Sequence, residues 1–526
     1  MNYRVSLLLV SLVLPTIWGR ASVVPNALIS DGMVLEQKSS VKIWGTANAN
    51  QKITVAFRDQ SVSAVSDAAG NWILALQSKE AGGPFPMTIE GENKISLANV
   101  YVGEVWVLSG QSNMELPLAR VTGGPEASAA ATNTLLRIFQ IPHVAADEPQ
   151  GNVKAAWIGS DPRSTKNFSA VGYWFGSKLQ KELGVPVGLI LSCWGGTTIE
   201  AWLSSDVLDN LAVKDQWTDY ATAITKHDAE MEKEKPLKDK YEADVAAAKE
   251  NHLPPPPVMR PAIPPRGPSM LYNGMIAPLE NETIKGVVWY QGENNGYLGV
   301  KRASTYSDLL PKLIDFWRAK WGEGDFPFIV VQLAPFGKKP ATDPNAPSGL
   351  AVVREAQRQA LKLPNTALVV TMDLADPDFN VHYKRKQPVG ERAEQAAMAL
   401  AYAGTAEGSG PLFQTALFDG GKAVISFTHL GGGLVAQGGD PAGFTLAGAD
   451  KKFFAADAVI VGNQVTVSSA SVPQPVSVRY GWADIPVPSL NLFNKAGLPA
   501  SPFRSDDWAF DTTIPVRAAE APTATP

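Results

Sequence analysis

A chain of 526 residues is too long for one compact core, so two or three domains are expected. Its formal charge of −5 leaves no basic face to neutralise phosphates, and the one basic knot, Lys384-Arg385-Lys386, is too short for a binding stripe; both argue against nucleic acid as a partner. With 45 glycines, 40 prolines and a single cysteine, Cys193, the composition suits a loop-rich mixture of strands and helices whose cores stand without an internal disulfide.

Residues 1–21 read as an export signal: Arg4 is the positive region, Val5 to Val13 is apolar apart from serines, and Gly19-Arg20-Ala21 places small residues at a cleavage site. That apolar run falls short of the roughly 20 residues that span a bilayer. The expectation is a periplasmic or secreted protein with no membrane contact after cleavage. Residues 22–100 read as a β-rich domain, since Val41-Lys42-Ile43-Trp44-Gly45 and Ile53-Thr54-Val55-Ala56-Phe57 alternate with period two, and a turn at Asp67-Ala68-Ala69-Gly70 precedes Trp72 to Leu76.

From 101 to 400 the texture changes to buried strands followed by glycine turns and helical stretches. Val105 to Leu108, Val185 to Leu191, Ile284 to Tyr290, Phe328 to Leu333 and Ala367 to Met372 are expected strands of a parallel sheet. Tyr306 to Lys320 and Val352 to Leu363 repeat at helical spacing. This is an α/β layered domain, whose chemistry belongs at the C-terminal ends of its strands. Residues 211–265 interrupt it with a Lys/Glu/Ala-rich segment, expected as two exposed helices, and a stiff connector built on Pro254 to Pro257, Pro261 and Pro264-Pro265; the excursion is placed at the edge of the active-site mouth. Strands return over 401–515, for example Ala423 to Phe427, Ala458 to Val461 and Val465 to Val467, and the Ala/Pro-rich tail 516–526 is expected to be disordered. Gly431-Gly432-Gly433 lacks the Lys-Ser or Lys-Thr of a phosphate loop.

Ser112 stands in Ser109-Gly110-Gln111-Ser112-Asn113-Met114, directly after a buried strand. A glycine turn that shows one hydroxyl at a strand end is how a layered hydrolase presents a nucleophile, with free backbone N–H groups of the following helix aimed at a developing anion. A serine needs a base, and five histidines are available. His143 lies beside a proline in a loop, His227 and His252 belong to the insertion and its exit, and His429 ends a late strand; His382 alone follows a sheet strand, among Asp373, Asp376 and Asp378. Oxyanion donors are expected from the Ser112 N–H, from Gly195 or Gly196, and from the side-chain amide of Gln291 or Asn294. Trp194, Trp289 and Tyr290 are expected to wall the pocket with faces suited to sugar rings, and Glu293 to stand beside them, hydrogen-bonded within its turn. No histidine or cysteine spacing supports a metal site, so none is expected. Glycosidase chemistry on Glu104 and Glu115 is disfavoured, because Glu293 is the only carboxylate set in a strand-end motif before the histidine loop.

With these residues assembled, the chain resembles the SGNH/GDSL hydrolase superfamily, most closely its sialate O-acetylesterase-like branch of carbohydrate acetylesterases. The likeness runs from Ser30-Asp31-Gly32-Met33-Val34-Leu35 through Val102-Gly103-Glu104-Val105-Trp106 and Gly110-Gln111-Ser112-Asn113-Met114 to Trp194-Gly195-Gly196-Thr197, Trp289-Tyr290-Gln291-Gly292-Glu293 and Lys386-Gln387-Pro388-Val389-Gly390-Glu391-Arg392. The resemblance implies an SGNH-type three-layer hydrolase domain with additional β-rich domains. It also implies a Ser112 nucleophile, a His382 base, and an oxyanion hole from Ser112, the Gly195-Gly196 turn and the third-block amide, read as Gln291 ahead of Asn294 or Asn295. The superfamily's acid commonly lies three residues before the histidine, where this chain has Phe379. Asp378, Asp376 or Asp373 then serves, or a dyad operates with a backbone carbonyl orienting the ring. Tyr383 replaces the branch's usual proline. The implied reaction is two-step transfer of an acetyl group from a carbohydrate, with no cofactor. Acetylated xylan or a related glycan is the first expectation for substrate, a 9-O-acetyl sialate the alternative, and a non-catalytic glycan-binding protein the reading from another class.

Overall fold

A computed structural model describes residues 23–209, 214–250, 256 and 266–513. The expected leader, the tail 516–526 and nearly all of the proline connector lie outside the described residues. The strands that position the site are β1 (Val34–Glu36), β2 (Lys94–Gly110), β3 (Leu136–Gln140), β4 (Val187–Cys193), β5 (Gly286–Tyr290), β6 (Phe328–Val331) and β7 (Thr366–Val369). The helices are α1 (Ser112–Glu115), α2 (Ala170–Leu183), α3 (Lys214–Glu250), α4 (Glu293–Tyr297), α5 (Val300–Trp321), α6 (Gly349–Gln359) and α7 (Gln387–Ala401).

β2 is the spine of the molecule. Its first residues alternate between exposed and covered, while Val100 to Gly110 are buried without a break. That change of pattern marks two environments on one strand: half-covered antiparallel sheet, then a central parallel sheet covered on both faces. The first half pairs antiparallel with Gly82–Glu90 and parallel with β1; the second half runs parallel between β4 and β5. The β-rich region expected over 22–100 and the layered region expected from 101 are therefore joined inside a single strand. The central sheet has the order β3-β4-β2-β5-β6-β7, all parallel, with the short strand Ile158–Gly159 antiparallel at the β3 edge.

Helices cover both faces of this sheet. Trp106 and Leu108 point to the α2 side, where Trp106 meets the Phe175 ring at 5.2 Å and Gly172 of α2 lies against Leu108. Val288 pairs with Leu108 and faces that side too, so its neighbour Trp289 points the other way, onto Trp317 of α5 at 5.6 Å. α7 packs along α2, and α6 along α5. The result is the three-layer α/β/α arrangement that the motifs imply.

The Lys/Glu/Ala-rich excursion differs from expectation. It forms one continuous 37-residue helix, α3, with Pro236 inside it, instead of two helices. A proline removes one intrahelical hydrogen bond, and here the strong helix formers on either side carry the helix through.

After α7 the chain builds two four-stranded antiparallel sheets with their own apolar core, which includes Ile425, Val467, Tyr480 and Phe503. Fully buried Arg354 of α6 ties these sheets to the hydrolase layers. It donates to the Leu333 and Ala334 carbonyls on one side and to the Ala483 and Asp484 carbonyls on the other, at 2.6–3.0 Å. Burial pulls its guanidinium down to about 10, still charged at neutral pH. Each buried carbonyl orphaned by its loss costs about 1–3 kcal/mol. R354M is therefore expected to lower the urea unfolding midpoint by the equivalent of several kcal/mol, and an unchanged midpoint would show that other contacts dock the C-terminal sheets.

Candidate active site

Parallel pairing sets Gly110, Cys193 and Tyr290 side by side at one sheet edge, since both Cys193 and Tyr290 are register partners of Gly110. Gly110 has φ +137° and no room for a side chain: a Cβ there would collide with the Tyr290 carbonyl oxygen. The chain turns at Gln111 and enters the single helical turn α1 with Ser112 at its first position. Among the described residues, nothing accepts the Ser112 backbone N–H, as the first turn of a helix requires.

The Ser112 hydroxyl lies 2.8 Å from His382 Nε2 across 270 residues of sequence. The neutral ring accepts that hydroxyl proton, so the pair has the geometry of a nucleophile and its base. Burial holds the His382 imidazolium below its ordinary 6.5; Lys386 and Lys384 push the same way, and Glu115 opposes them.

The loop acids do not reach the ring, which corrects the expectation for Asp376 and Asp378. Asp376 Oδ2 accepts the Lys384 N–H at 2.8 Å, and Asp378 Oδ1 accepts the Asn380 N–H at 3.2 Å. Asp373 is forked to Arg392 by two bonds of 2.7 Å. Asp376 and Asp378 thus stabilise the loop's own turns, around a Phe379 held at φ +50°, while Asp373 ties the loop to α7. The ring is instead placed by its backbone: Asn380 Oδ1 accepts the His382 N–H at 2.8 Å, and the Val381 carbonyl accepts from Asn113 Nδ2 at 2.9 Å.

The oxyanion donors also differ from expectation. Gln291 is fully buried, and its Nε2 donates to Gln111 Oε1, the Thr197 carbonyl and Asn295 Oδ1 at 2.9–3.2 Å. Its amide welds the three strand-end turns together and has no proton left for a substrate. Gly195 lies where a Cβ would stand 3.0 Å from the Ser112 Cβ, yet its N–H is taken by Glu115 Oε2 at 2.7 Å. Half-buried Asn294 remains at the mouth, with Nδ2 3.2 Å from the Gly196 carbonyl, and the Gly196 N–H has no acceptor among the described residues. Of the donors expected for an oxyanion, the Ser112 N–H, the Gly196 N–H and one Asn294 amide proton are thus not taken up among the described residues.

Most of the expected pocket wall turns out to be core. Trp289 and Tyr290 are fully buried; Trp289 Nε1 donates to the Tyr306 hydroxyl at 3.2 Å, and the Tyr290 hydroxyl pairs with that of Tyr383 at 2.7 Å. Tyr383, in place of the branch's proline, is turned inward by this bond. Glu293 is also buried; besides its own backbone N–H it accepts from Asn113 Nδ2 at 2.6 Å, a bond across to the nucleophile turn. Only Trp194 stays at the mouth. The His143 ring stacks on it at 4.4 Å, and the Arg266 guanidinium lies 5.1 Å from its ring centre.

Sequence reasoning passed over Glu115, His143 and Arg266. Glu115 shares a helical turn with Ser112, a spacing that carried a usable signal; His143 Nε2 meets Glu115 Oε1 at 2.8 Å, and Arg266 Nη1 donates to the Gly195 carbonyl at 2.7 Å, contacts no local pattern announces. Arg266 is the first described residue after the connector, so the excursion does return the chain to the mouth. No group of three or more His, Cys, Asp or Glu able to hold a metal occurs among the described residues.

Residues 102–242 and 265–399 match the family described as carbohydrate esterase, sialic acid-specific acetylesterase. The chain belongs to this family. It is 32% identical to the sialate O-acetylesterase of Rattus norvegicus over 71% of this chain and 72% of that one, and 31% identical to that of Homo sapiens over 71% and 70%. The solved structure of a carbohydrate acetylesterase from Xanthomonas citri superimposes with a TM-score of 0.77 at 35% identity, covering 92% of this chain and all of that one. This family member is therefore a carbohydrate O-acetylesterase on the layered fold described above.

Two outcomes follow from the site. The acid limb of kcat/KM for an aryl acetate is expected below pH 6.5, because activity needs neutral His382 and its burial disfavours the imidazolium. D376N and D378N are each expected to lose no more than about threefold in kcat; a loss near the 10⁴-fold seen when a ring-orienting aspartate is removed would restore one of them to that role.

Proposed function

We propose that Ser112 and His382 act as a dyad that removes O-acetyl groups from a sugar bearing a carboxylate, a 9-O-acetyl sialate. Ser112 Oγ attacks the acetyl carbonyl while His382 Nε2 takes its proton, and the oxyanion is met by the Ser112 and Gly196 N–H groups with the Asn294 amide. The carbonyl re-forms, the bond to the sugar oxygen breaks, and His382 returns its proton to that oxygen. Water then attacks the acetyl-serine, gives a proton to His382, and acetate leaves as Ser112 recovers its hydrogen. Water is the only co-reactant.

The observation that carries the substrate is Arg266. It is half-buried at the serine's edge, with no carboxylate within 4.0 Å among the described residues; burial pulls its guanidinium down, and the more distant Glu115 only partly offsets this. A desolvated cation with no carboxylate bonded to it favours an anionic ligand, and a planar fork suits a carboxylate. The xylan expectation rested on export and on tryptophan-rich strand ends, but Trp289 and Tyr290 are core and Trp194 is covered by His143 and Arg266, so open aromatic platforms are not offered there. The family's description and the names of the mammalian relatives support the sialate reading. The leader-like residues 1–21 place the mature enzyme outside the cytoplasm in this proposal.

The test compares acetate release from 9-O-acetyl sialate and acetylated xylo-oligosaccharides by one preparation. The sialate is expected to be preferred, and R266Q to lower its kcat/KM by about 10–100-fold, the loss of one charge-assisted contact of roughly 1.5–3 kcal/mol. Preference for the xylo-oligosaccharides, or an equal R266Q loss on both, would overturn the assignment. S112A and H382A are expected to abolish hydrolysis of either.

A further inference from the structure

Behind Ser112 lies a buried polar cluster that neither the nucleophile nor the base accounts for. Lys386 is fully buried; its Nζ donates to Asn113 Oδ1 at 2.5 Å and sits 3.3 Å above the Tyr383 ring. The same Asn113 spends its Nδ2 protons on Glu293 Oε1 at 2.6 Å and the Val381 carbonyl at 2.9 Å. Asn113 directly follows Ser112, Val381 directly precedes His382, and Lys386 caps α7 just beyond it. One side-chain amide thus holds the strand-end turn of the serine to the loop of the histidine on both flanks.

Such a cluster is a poor way to gain stability. Burying an ammonium and a carboxylate costs several kcal/mol each, and apolar residues of like volume in such places are often neutral or better. What a lysine and a glutamate bonded to the two ends of one amide supply is a fixed geometry between segments that are otherwise far apart in sequence.

Taking Ser112 and His382 as nucleophile and base, we propose that Asn113, Lys386 and Glu293 are positioning residues, a buried clamp that holds the His382 loop in register with Ser112 where no aspartate reaches the ring. Lys386 has a second effect. His382 is faced by Lys384 and Lys386 from its own loop and by Glu115 from α1, with Asp376 and Asp378 tied into the loop's turns. Burial holds the Lys386 ammonium well below its ordinary range, against the pull of Glu293 and Asp376, and removing the charge it carries favours the imidazolium.

The experiment uses the full chain and 4-nitrophenyl acetate. K386M is expected to lower kcat about 10–100-fold, the scale of a misplacement near 1 Å, with KM within about twofold and the acid limb of kcat/KM moved to higher pH. E293Q keeps the shape of its side chain, is expected to lower kcat about tenfold at unchanged KM, and decides the matter if K386M does not fold. In the K386M/E293Q double variant the losses should fall short of additive, because the groups act as one unit. Folded variants with wild-type kcat, or losses in KM alone, overturn the clamp while inactive S112A and H382A leave the dyad standing. Activity persisting in S112A and H382A overturns the dyad itself.

Discussion

The register of three parallel strands is the constraint on which the site rests. β4 and β5 both pair with β2 so that their last residues stand level with Gly110. Hydrogen-bonded neighbours in a sheet lie about 4.8 Å apart, so the three turns that follow are brought within side-chain reach before any of their side chains acts. Gly110 permits the closest of these approaches. The fully buried Gln291 then bonds all three turns at once, which explains why an amide expected at the substrate is found beneath it.

His382 comes from outside that register, at the far side of β7, and must be brought in by different means. Backbone anchors at Asn380 and Val381 do this, not a carboxylate on the ring. Its burial and the two lysines disfavour the imidazolium, and a base must be neutral before it acts. An aspartate would favour the charged ring; buried and faced by two lysines, this ring is biased the other way. The arrangement prepares the proton acceptor at the expense of stabilising the imidazolium once it has formed.

The mouth is built on one tryptophan and the charges around it. Trp194 is stacked by His143, approached by Arg266, and followed by a peptide whose N–H is held by Glu115 and whose carbonyl is held by Arg266. Both polar ends of Gly195 are thereby occupied, while the Gly196 N–H has no acceptor among the described residues. A surface of this kind offers charge and hydrogen bonds to a sugar ester more than an apolar face.

Local pattern by itself determined a good part of this protein. The strands 41–45, 53–57 and 72–76, the sheet strands around 187, 286, 328 and 366, and the helices around 300 and 349 stand where period and glycine punctuation put them, because burial on one face or two writes itself directly into the chain. Ser112 and His382 were legible as well, a hydroxyl and an imidazole each set just past a buried strand. Other features were not. β3, Leu-Arg-Ile-Phe-Gln, is short and carries an arginine, and its place in the sheet depends on β4 beside it. α3 continues through Pro236 where punctuation suggested a break. At the site, the tertiary structure alone decided that Gln291, Trp289, Tyr290 and Glu293 belong to the interior, that Asp376 and Asp378 face their own turns, and that Glu115, His143 and Arg266 converge beside the serine. The physical reason is the same in each case: sequence records what kind of side chain stands at a strand end, whereas the direction it points, and which of several eligible partners it satisfies, depends on neighbours that only folding supplies.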